Sequence, residues 1–242
     1  MQPILFQTDS FVILSYYLVI SFVYSVGLIW VRNRAKKNAL DIRFCMDLCL
    51  TFMIGGFIGA RLFHVLYEDP RFFYENPNEI FKVWKGGFVF FGGFIGALVS
   101  CLTLFHFRKK KVAPWLDVFA PVLAMGYGIG RIGCFLNGCC YGRACELAWA
   151  VDNKHPTQLY ASFWELSVMA LLLWLEKRKF KPRSGQLFYI WLTLHGLGRI
   201  IMEYFRDDPR GPEPYGLSIA TYISLVLIIS GLFFILKRNK TA

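Results

Sequence analysis

Seven apolar stretches, most of them close to 20 residues long, constrain the fold of this 242-residue chain more than any other feature. A helix rises about 1.5 Å per residue, so about 20 apolar residues cross the roughly 30 Å of hydrocarbon in a bilayer. With 56% hydrophobic and only 18% charged residues, the composition excludes a soluble enzyme. We predict an all-α polytopic membrane protein, one transmembrane domain over residues 1–242, with seven transmembrane helices near residues 11–31, 44–67, 88–107, 115–136, 156–176, 186–205 and 216–236.

Basic residues between the spans predict how the chain is oriented. The first, third and fifth connections and the C-terminal tail hold 17 of the 27 Lys and Arg residues, and such segments face the cytoplasm. The N-terminus is then outside, the C-terminus is cytoplasmic, and residues 137–155 form a short periplasmic head. The net charge of +11 follows from this topology, so we expect the membrane, and no nucleic acid, as a partner.

Three basic residues remain inside the predicted spans: Arg61, Arg131 and Arg199. Counted along their own helices, all three lie on the order of 10 Å beneath the outer edge. A guanidinium in hydrocarbon costs at least a few kcal/mol, so it faces the bundle interior, pairs with an acid or binds an anion. Lipid phosphate is the anion at that depth, and its oxygens suit the planar fork of arginine. We predict that the three arginines converge on one phosphate pocket; the alternative is that each reaches the interface or forms a structural ion pair.

The sixth span carries a charged face. His195, Arg199 and Glu203 recur every four residues and therefore share one side of the helix. Glu203 could neutralise Arg199, orient it or act as a base. The alternative is a buried ion pair that fixes the position of the helix.

Glycine recurs at almost every second position before Arg131, in the segment of residues 126–133. Such a run permits close helix packing, close approach of the backbone to a ligand or an irregular helix end. It is a weak match to a phosphate loop, because no strand or lysine accompanies it.

Four cysteines crowd the outer end of the fourth span: Cys134, Cys139, Cys140 and Cys145. Zinc favours a more regular ligand spacing than theirs. An oxidising compartment favours a disulfide that braces the loop, with three complete pairings open, whereas Cys134 also suits plain packing. We expect no metal and no soluble cofactor.

At this segment the chain resembles a known family. Gly130 to Asn137, followed by Gly138, Tyr141, Gly142 and Arg143, is similar to the signature of the prolipoprotein diacylglyceryl transferases, which are bacterial inner-membrane enzymes. The resemblance extends over most of the chain, to Tyr16, residues 59–62 and 65–67, Gly86–Gly87, Gly92–Gly93, residues 155–160, and residues 199–206.

The resemblance implies a reaction. Such an enzyme transfers the diacylglyceryl group of phosphatidylglycerol to the lipobox cysteine thiol of a prolipoprotein, forms a thioether and releases glycerol phosphate. Fixed positive charge would stabilise the departing phosphate. From the resemblance and the buried charges together, we assign Arg131, Arg199, Glu203 and His195 to catalysis, and Tyr16, Arg61, Asn137 and Gly142 to substrate binding.

Two departures from the family pattern matter. Phe91 stands where the best-known members have a histidine proposed as the base for the thiol, and phenylalanine cannot take a proton. Cys134 and Cys139 stand at positions commonly occupied by Asn and Glu. The thiol proton would then pass to His195 or Glu203, or positive surroundings would lower the thiol pKa enough for attack.

Two other functions are compatible with these residues. Phe91 and Cys139 would suit a catalytically altered relative that binds lipid or lipoprotein without transfer. A small-solute transporter is less favoured, because the arginines lie near one face and a transporter site lies near mid-membrane.

Overall fold

The computed structural model describes residues 3–8, 11–68, 70–178, 183–208 and 214–240. Within these ranges the chain is almost entirely helical, with one small antiparallel hairpin. The hairpin strands are β1 (Ile4–Thr8) and β2 (Phe11–Leu14), and the helices are α1 (Ser15–Lys37), α2 (Ile42–Phe63), α3 (Pro70–Glu75), α4 (Phe90–Phe107), α5 (Val112–Asn137), α6 (Thr157–Lys177), α7 (Gln186–Phe205) and α8 (Ile219–Lys240).

The long helices follow the predicted spans, with one correction at the N-terminus. The first helix begins at Ser15 and not at residue 11, because Phe11–Leu14 pairs with β1. Five helices are long and apolar enough to cross a bilayer, namely α1, α2 with its π-helical extension, α5, α6 and α8. The described part of the chain is therefore that of a multi-pass membrane protein, as predicted.

The chain divides into two compact units. The large unit contains Met1–Val31 and Ala113–Ala242, and the small unit contains Arg32–Val112. In the large unit α7 packs against α6 and α8. A buried apolar cluster joins α5, α6 and α7 through Ala120, Val168, Leu172 and Leu187. Apolar burial of this kind fixes the helices that carry the charged residues.

The glycines of α5 provide packing surfaces for neighbouring helices. A Cβ added at Gly126, Gly130 or Gly133 would lie 3.3–3.9 Å from side chains of α1, and one at Gly128 would lie 3.0 Å from Leu166 of α6. The helix continues to Asn137 without interruption. Of the three interpretations of the glycine run, close helix packing is the one the contacts support.

In the small unit, glycine brings α2 and α4 into backbone contact. A Cβ at Gly59 would lie 2.4 Å from the Gly92 carbonyl oxygen, and one at Gly96 would lie 2.4 Å from that of Gly55. Glycine four residues apart on each helix is typical of membrane helices that pack this closely. The Gly92–Gly93 pair of the sequence pattern therefore has a structural explanation.

Candidate active site

Helices α5 and α7 run in the same direction, as two contacts between them establish. Near the start of both, the Asp117 carboxylate accepts hydrogen bonds from the backbone N–H groups of Gly185 (2.5 Å) and Phe188 (3.2 Å). Further along, the rings of Tyr127 and His195 meet edge to face, with 4.7 Å between their centres. Asp117 thus takes the place of an N-cap for α7, since Gly185 has no capping side chain.

Tyr127 connects a predicted arginine to a predicted histidine. Its hydroxyl oxygen accepts a hydrogen bond of 2.5 Å from Nη2 of Arg131, one turn further along α5, and the guanidinium carbon lies 4.6 Å from the centre of the ring. The same ring contacts His195. Arg131 makes this one hydrogen bond to the described residues, so most of its donors remain for a ligand.

His195 is held by a carboxylate from a third helix. Its Nδ1 lies 2.6 Å from Oε1 of Glu165 in α6, and the indole N–H of Trp191 donates to the other carboxylate oxygen at 3.2 Å. The side chain of Glu165 is 2% exposed and that of His195 is 16% exposed. A carboxylate bonded to a histidine fixes the orientation and the tautomer of the ring.

Arg199 and Glu203 form the ion pair that their spacing predicts. Nη1 of Arg199 lies 2.8 Å from Oε2 of Glu203, and both side chains are mostly buried. Arg199 follows His195 by one turn, as Arg131 follows Tyr127. Because α5 and α7 are parallel and Tyr127 contacts His195, the two arginines are displaced toward the same end of the large unit.

A tight turn follows α5, and the first residues of α6 hold it. Gly138 and Cys140 adopt positive φ angles of 74° and 62°, a conformation that is costly for a residue with a side chain. The Thr157 hydroxyl donates to the Cys140 carbonyl at 2.7 Å, and the Gln158 amide donates to the Cys139 carbonyl at 2.6 Å. Both donors are 2% exposed. The His-Pro-Thr-Gln segment therefore fixes the geometry of this turn.

This turn brings three thiols together. The Sγ atoms of Cys134, Cys139 and Cys140 all lie within 4.8 Å of one another. A hydrogen bond with the Cys134 thiol, helped by the positive charges of Arg206 and Arg131, lowers the pKa of the Cys140 thiol to about 5. Hydrogen bonding and nearby positive charge at this turn therefore favour the ionised form of the Cys140 side chain.

The disulfide that was one of the alternatives for this loop is not formed. All seven cysteines lie in the described part of the chain and carry free thiols. Cys145 does not belong to the cluster, because it lies on the strand-like segment that pairs with Asn153. The three remaining thiols lie close together without a bond between them, so of the alternatives left open for this loop the structure shows packed free cysteines.

The residues predicted to bind substrate occupy different surroundings. Tyr16 of α1 packs its ring beside Gly133 of α5. Asn137 is exposed at the last position of α5 and bonds to the Cys139 side chain. Gly142 donates its N–H to the His155 carbonyl at 3.0 Å, and a Cβ there would lie 2.7 Å from both the His155 Cβ and the Phe205 carbonyl oxygen. A side chain at Gly142 would thus push apart two backbone segments.

Arg61 belongs to the small unit, where backbone carbonyls surround its guanidinium. It donates to Ile80 (3.1 Å), Glu79 (2.8 Å), Gly86 (2.6 Å) and Gly87 (3.2 Å). The residue is only 8% exposed. These bonds satisfy the buried charge without a ligand, and the predicted contact of Arg61 with substrate stays a prediction.

Three members of the site in the large unit were not among the residues assigned to it from the sequence. Tyr127 is one helical turn from Arg131, which is a usable signal. Glu165 is a carboxylate in mid-span and must be paired there. Arg206, which the sequence placed only within the resembling residues 199–206, is 8% exposed; Asp208 binds it at 2.8 and 2.6 Å, and it interacts electrostatically with Cys140.

Comparison with known proteins connects this arrangement to one group of enzymes. Residues 3–237 match the family model described as prolipoprotein diacylglyceryl transferase. The chain is 34% identical over 244 residues to a phosphatidylglycerol–prolipoprotein diacylglyceryl transferase from Clostridium tetani, covering 96% of each chain. It is 37% identical to one from a Janthinobacterium species, covering 86% of this chain and 81% of the relative. It is 34% identical to one from Nitrosomonas europaea, covering 83% and 76%.

Proposed function

The chain belongs to the prolipoprotein diacylglyceryl transferase family, and we propose that it transfers the diacylglyceryl group of phosphatidylglycerol to the lipobox cysteine thiol of prolipoproteins. The products are a thioether-linked lipoprotein and glycerol phosphate. Matches over nearly the whole chain support this activity, and the substrates follow from the names of the relatives.

The membrane arrangement that suits this reaction has seven spans. In addition to the five apolar helices, α4 and α7 would also cross the membrane. The polar residues of α7 would face the bundle interior and not lipid. The basic connections support an N-terminus outside and a cytoplasmic C-terminus in the bacterial inner membrane. The cysteine turn and the arginines Arg131 and Arg199 would then lie at the outer leaflet, where phosphatidylglycerol and the secreted precursor meet.

Arg131 and Arg199 are the residues we assign to the phosphate. Arg131 is the better supported, since it is partly buried and most of its donors are not used by the described residues. Arg199 is oriented by Glu203 and displaced toward the same end of the unit. Two guanidinium groups on parallel helices could bind the non-bridging oxygens of one phosphate and stabilise it as it leaves.

The chemical step exchanges one bond for another. The substrate sulfur attacks the glyceryl carbon, a C–S bond replaces the C–O bond to phosphate, and glycerol phosphate departs with the electron pair of the broken bond. The thiol proton passes to His195, which Glu165 orients, or to Glu203, which already neutralises Arg199. Of the two, His195 has the surroundings typical of a general base.

The other assigned residues would shape the binding site. Tyr16 and Asn137 lie beside the cysteine turn and would contact the head group. Gly142 would act by keeping the backbone segments beside the site close together. For Arg61 the four carbonyl bonds favour a contribution through residues 79–87 of its own unit.

The single observation that carries the activity is the family match over residues 3–237. The test is to incubate the purified protein with phosphatidylglycerol and a lipobox peptide, and to measure the diacylglyceryl thioether by mass spectrometry. A peptide with Ser in place of Cys is the control. Product from the cysteine peptide alone supports transfer, whereas binding of both substrates without product would identify a relative that has lost catalysis.

A further inference from the structure

Three thiols form a compact group at the turn after α5. Cys134 comes from the last turns of the helix, and Cys139 and Cys140 come from the turn itself, with Sγ atoms within 4.8 Å of one another. In the described part of the chain no other His, Cys, Asp or Glu belongs to this group. We propose that these three cysteines bind a zinc ion whose fourth position receives the substrate thiol.

The observed spacing is close to what zinc requires. At a Zn–S distance of about 2.3 Å, tetrahedral geometry separates the sulfur atoms by about 3.8 Å. Rotation of the cysteine side chains would bring the Sγ atoms to this separation. The backbone of the turn would not need to move, since Thr157 and Gln158 already fix it. The irregular sequence spacing that argued against zinc is compensated by the left-handed residues Gly138 and Cys140, which fold the turn back on the helix.

The number of ligands favours a catalytic site. Structural zinc sites have four protein ligands, whereas catalytic sites have three and keep one position open. Soft thiolate ligands select zinc over magnesium, calcium or manganese. A site of this composition is suited to binding one more thiolate from outside the chain.

Zinc would supply what Phe91 cannot. A thiol that coordinates zinc loses its proton and remains nucleophilic. This inference rests on the proposed function. The zinc-bound sulfur attacks the glyceryl carbon, the C–O bond to phosphate breaks, and glycerol phosphate takes that electron pair. The thiol proton is accepted by Glu203, which lies two turns beyond His195 toward the cysteine turn, and the thioether, a weaker ligand than a thiolate, leaves the zinc.

The charges around the turn are suited to such a centre. A zinc ion with three or four thiolates is net negative, and a negative centre that is partly buried needs compensation. Arg131 interacts electrostatically with Cys134 and Cys140, and Arg206 interacts with Cys140. Arg131 could therefore contact both the phosphate and the zinc-bound sulfurs, which would place nucleophile and leaving group side by side.

The first experiment measures metal content. The full chain, without a polyhistidine tag, is purified in detergent from cells grown with zinc and analysed by elemental mass spectrometry. We expect about one zinc per chain, and at least a fivefold loss in Cys139→Ser and Cys140→Ser. Cys145→Ser and Cys101→Ser are matched controls that should keep the metal. Wild-type protein without zinc, or with a disulfide between Cys134 and Cys140, would overturn the proposal.

The second experiment does not require variants that fold. Cobalt replaces zinc in the wild-type protein, and thiolate coordination gives a charge-transfer band together with the visible bands of a tetrahedral ion. A lipobox peptide should increase the charge-transfer intensity, and its Cys→Ser form should not. An unchanged spectrum with the cysteine peptide would overturn substrate coordination. Full transferase rate in metal-free protein would overturn the zinc inference and leave the proposed function intact, whereas bound zinc without any transfer would overturn the function.

Discussion

Arg61 in the small unit and Arg131 in the large unit both lie near the C-terminal end of a long helix, yet their guanidinium groups are satisfied differently. Arg61 donates to four backbone carbonyls of residues 79–87, whereas Arg131 donates, among the residues that the structure describes, to the Tyr127 hydroxyl alone. Position along a helix therefore does not determine the role of a buried arginine. The number of acceptors around the guanidinium determines its role. When all its N–H donors are hydrogen-bonded within the protein, it stabilises the fold; when most of them have no protein acceptor, it can bind an anion.

Replacing Arg131, most of whose donors the described residues do not use, should have the largest effect on catalysis. In Arg131→Ala we expect transferase activity to fall about 10² to 10³-fold, since a preorganised donor to the departing phosphate is lost. The thermal midpoint in detergent should change little. Arg131→Lys keeps the charge without the fork and should be intermediate. Activity that persists at the wild-type rate in Arg131→Ala would remove the phosphate-binding role.

Replacing Arg61, whose guanidinium is hydrogen-bonded to four carbonyls, should lower stability and change catalysis little. Arg61→Ala leaves buried carbonyls without donors, and we expect a loss of about 3 kcal/mol in stability. The measurement is the thermal midpoint, combined with activity per folded molecule, which should stay within about threefold of wild type. A normal midpoint with lost activity would instead support the predicted contact of Arg61 with substrate.

Glycine-to-alanine substitutions compare how tightly helices pack in the two units. Gly59→Ala places a methyl group against the backbone of α4, and we expect a destabilisation of about 2 kcal/mol. The matched control is Gly130→Ala in α5, where the nearest atom, a terminal methyl of Ile20, is 3.9 Å away. That change should be neutral or stabilising, since alanine favours a helix by up to about 1 kcal/mol. Equal midpoints for the two variants would contradict this packing argument.

The smallest expected effect concerns the proton acceptor. Glu165→Gln keeps the shape of the side chain but removes the charge beside His195, and we expect about a tenfold loss of transferase activity. His195→Gln should cost at least as much, and the double variant should lose little more than His195→Gln alone. Full activity of His195→Gln would exclude the histidine as the base and leave Glu203 as the candidate.

Hydrophobicity and helical spacing were sufficient for much of this architecture. They located the long helices, the end of α5 at Asn137 and the Arg199–Glu203 pair, because these depend on residues close in sequence. The acceptors of Arg61 could not be predicted from the sequence, since they are carbonyls of an irregular segment about 20 residues away. The partner of Glu165 was missed for a similar reason, as it comes from another helix.

The cysteines illustrate a further limit of sequence reasoning. The spacing of Cys134, Cys139 and Cys140 matches no familiar ligand pattern, so their proximity depends on a left-handed turn. Gly138 alone indicates such a turn, but φ at Cys140 is also positive, and that is uncommon for cysteine. The buried side chains of Thr157 and Gln158 supply the bonds that hold it, and these were recognised in the sequence only as a family resemblance.

The short bridges at the C-terminal ends of α5 and α7 have a practical consequence for labelling this protein. Gly142 and Arg143 bond to the backbone of residues 155 and 205, so an inserted sequence there would separate the two helix ends. Residues 146–149 are exposed instead, and neighbouring bonds between Val151 and Lys154 close the chain behind them. A fluorophore or epitope between Glu146 and Leu147 would therefore report on the enzyme in intact cells without disturbing the turn that carries the thiols.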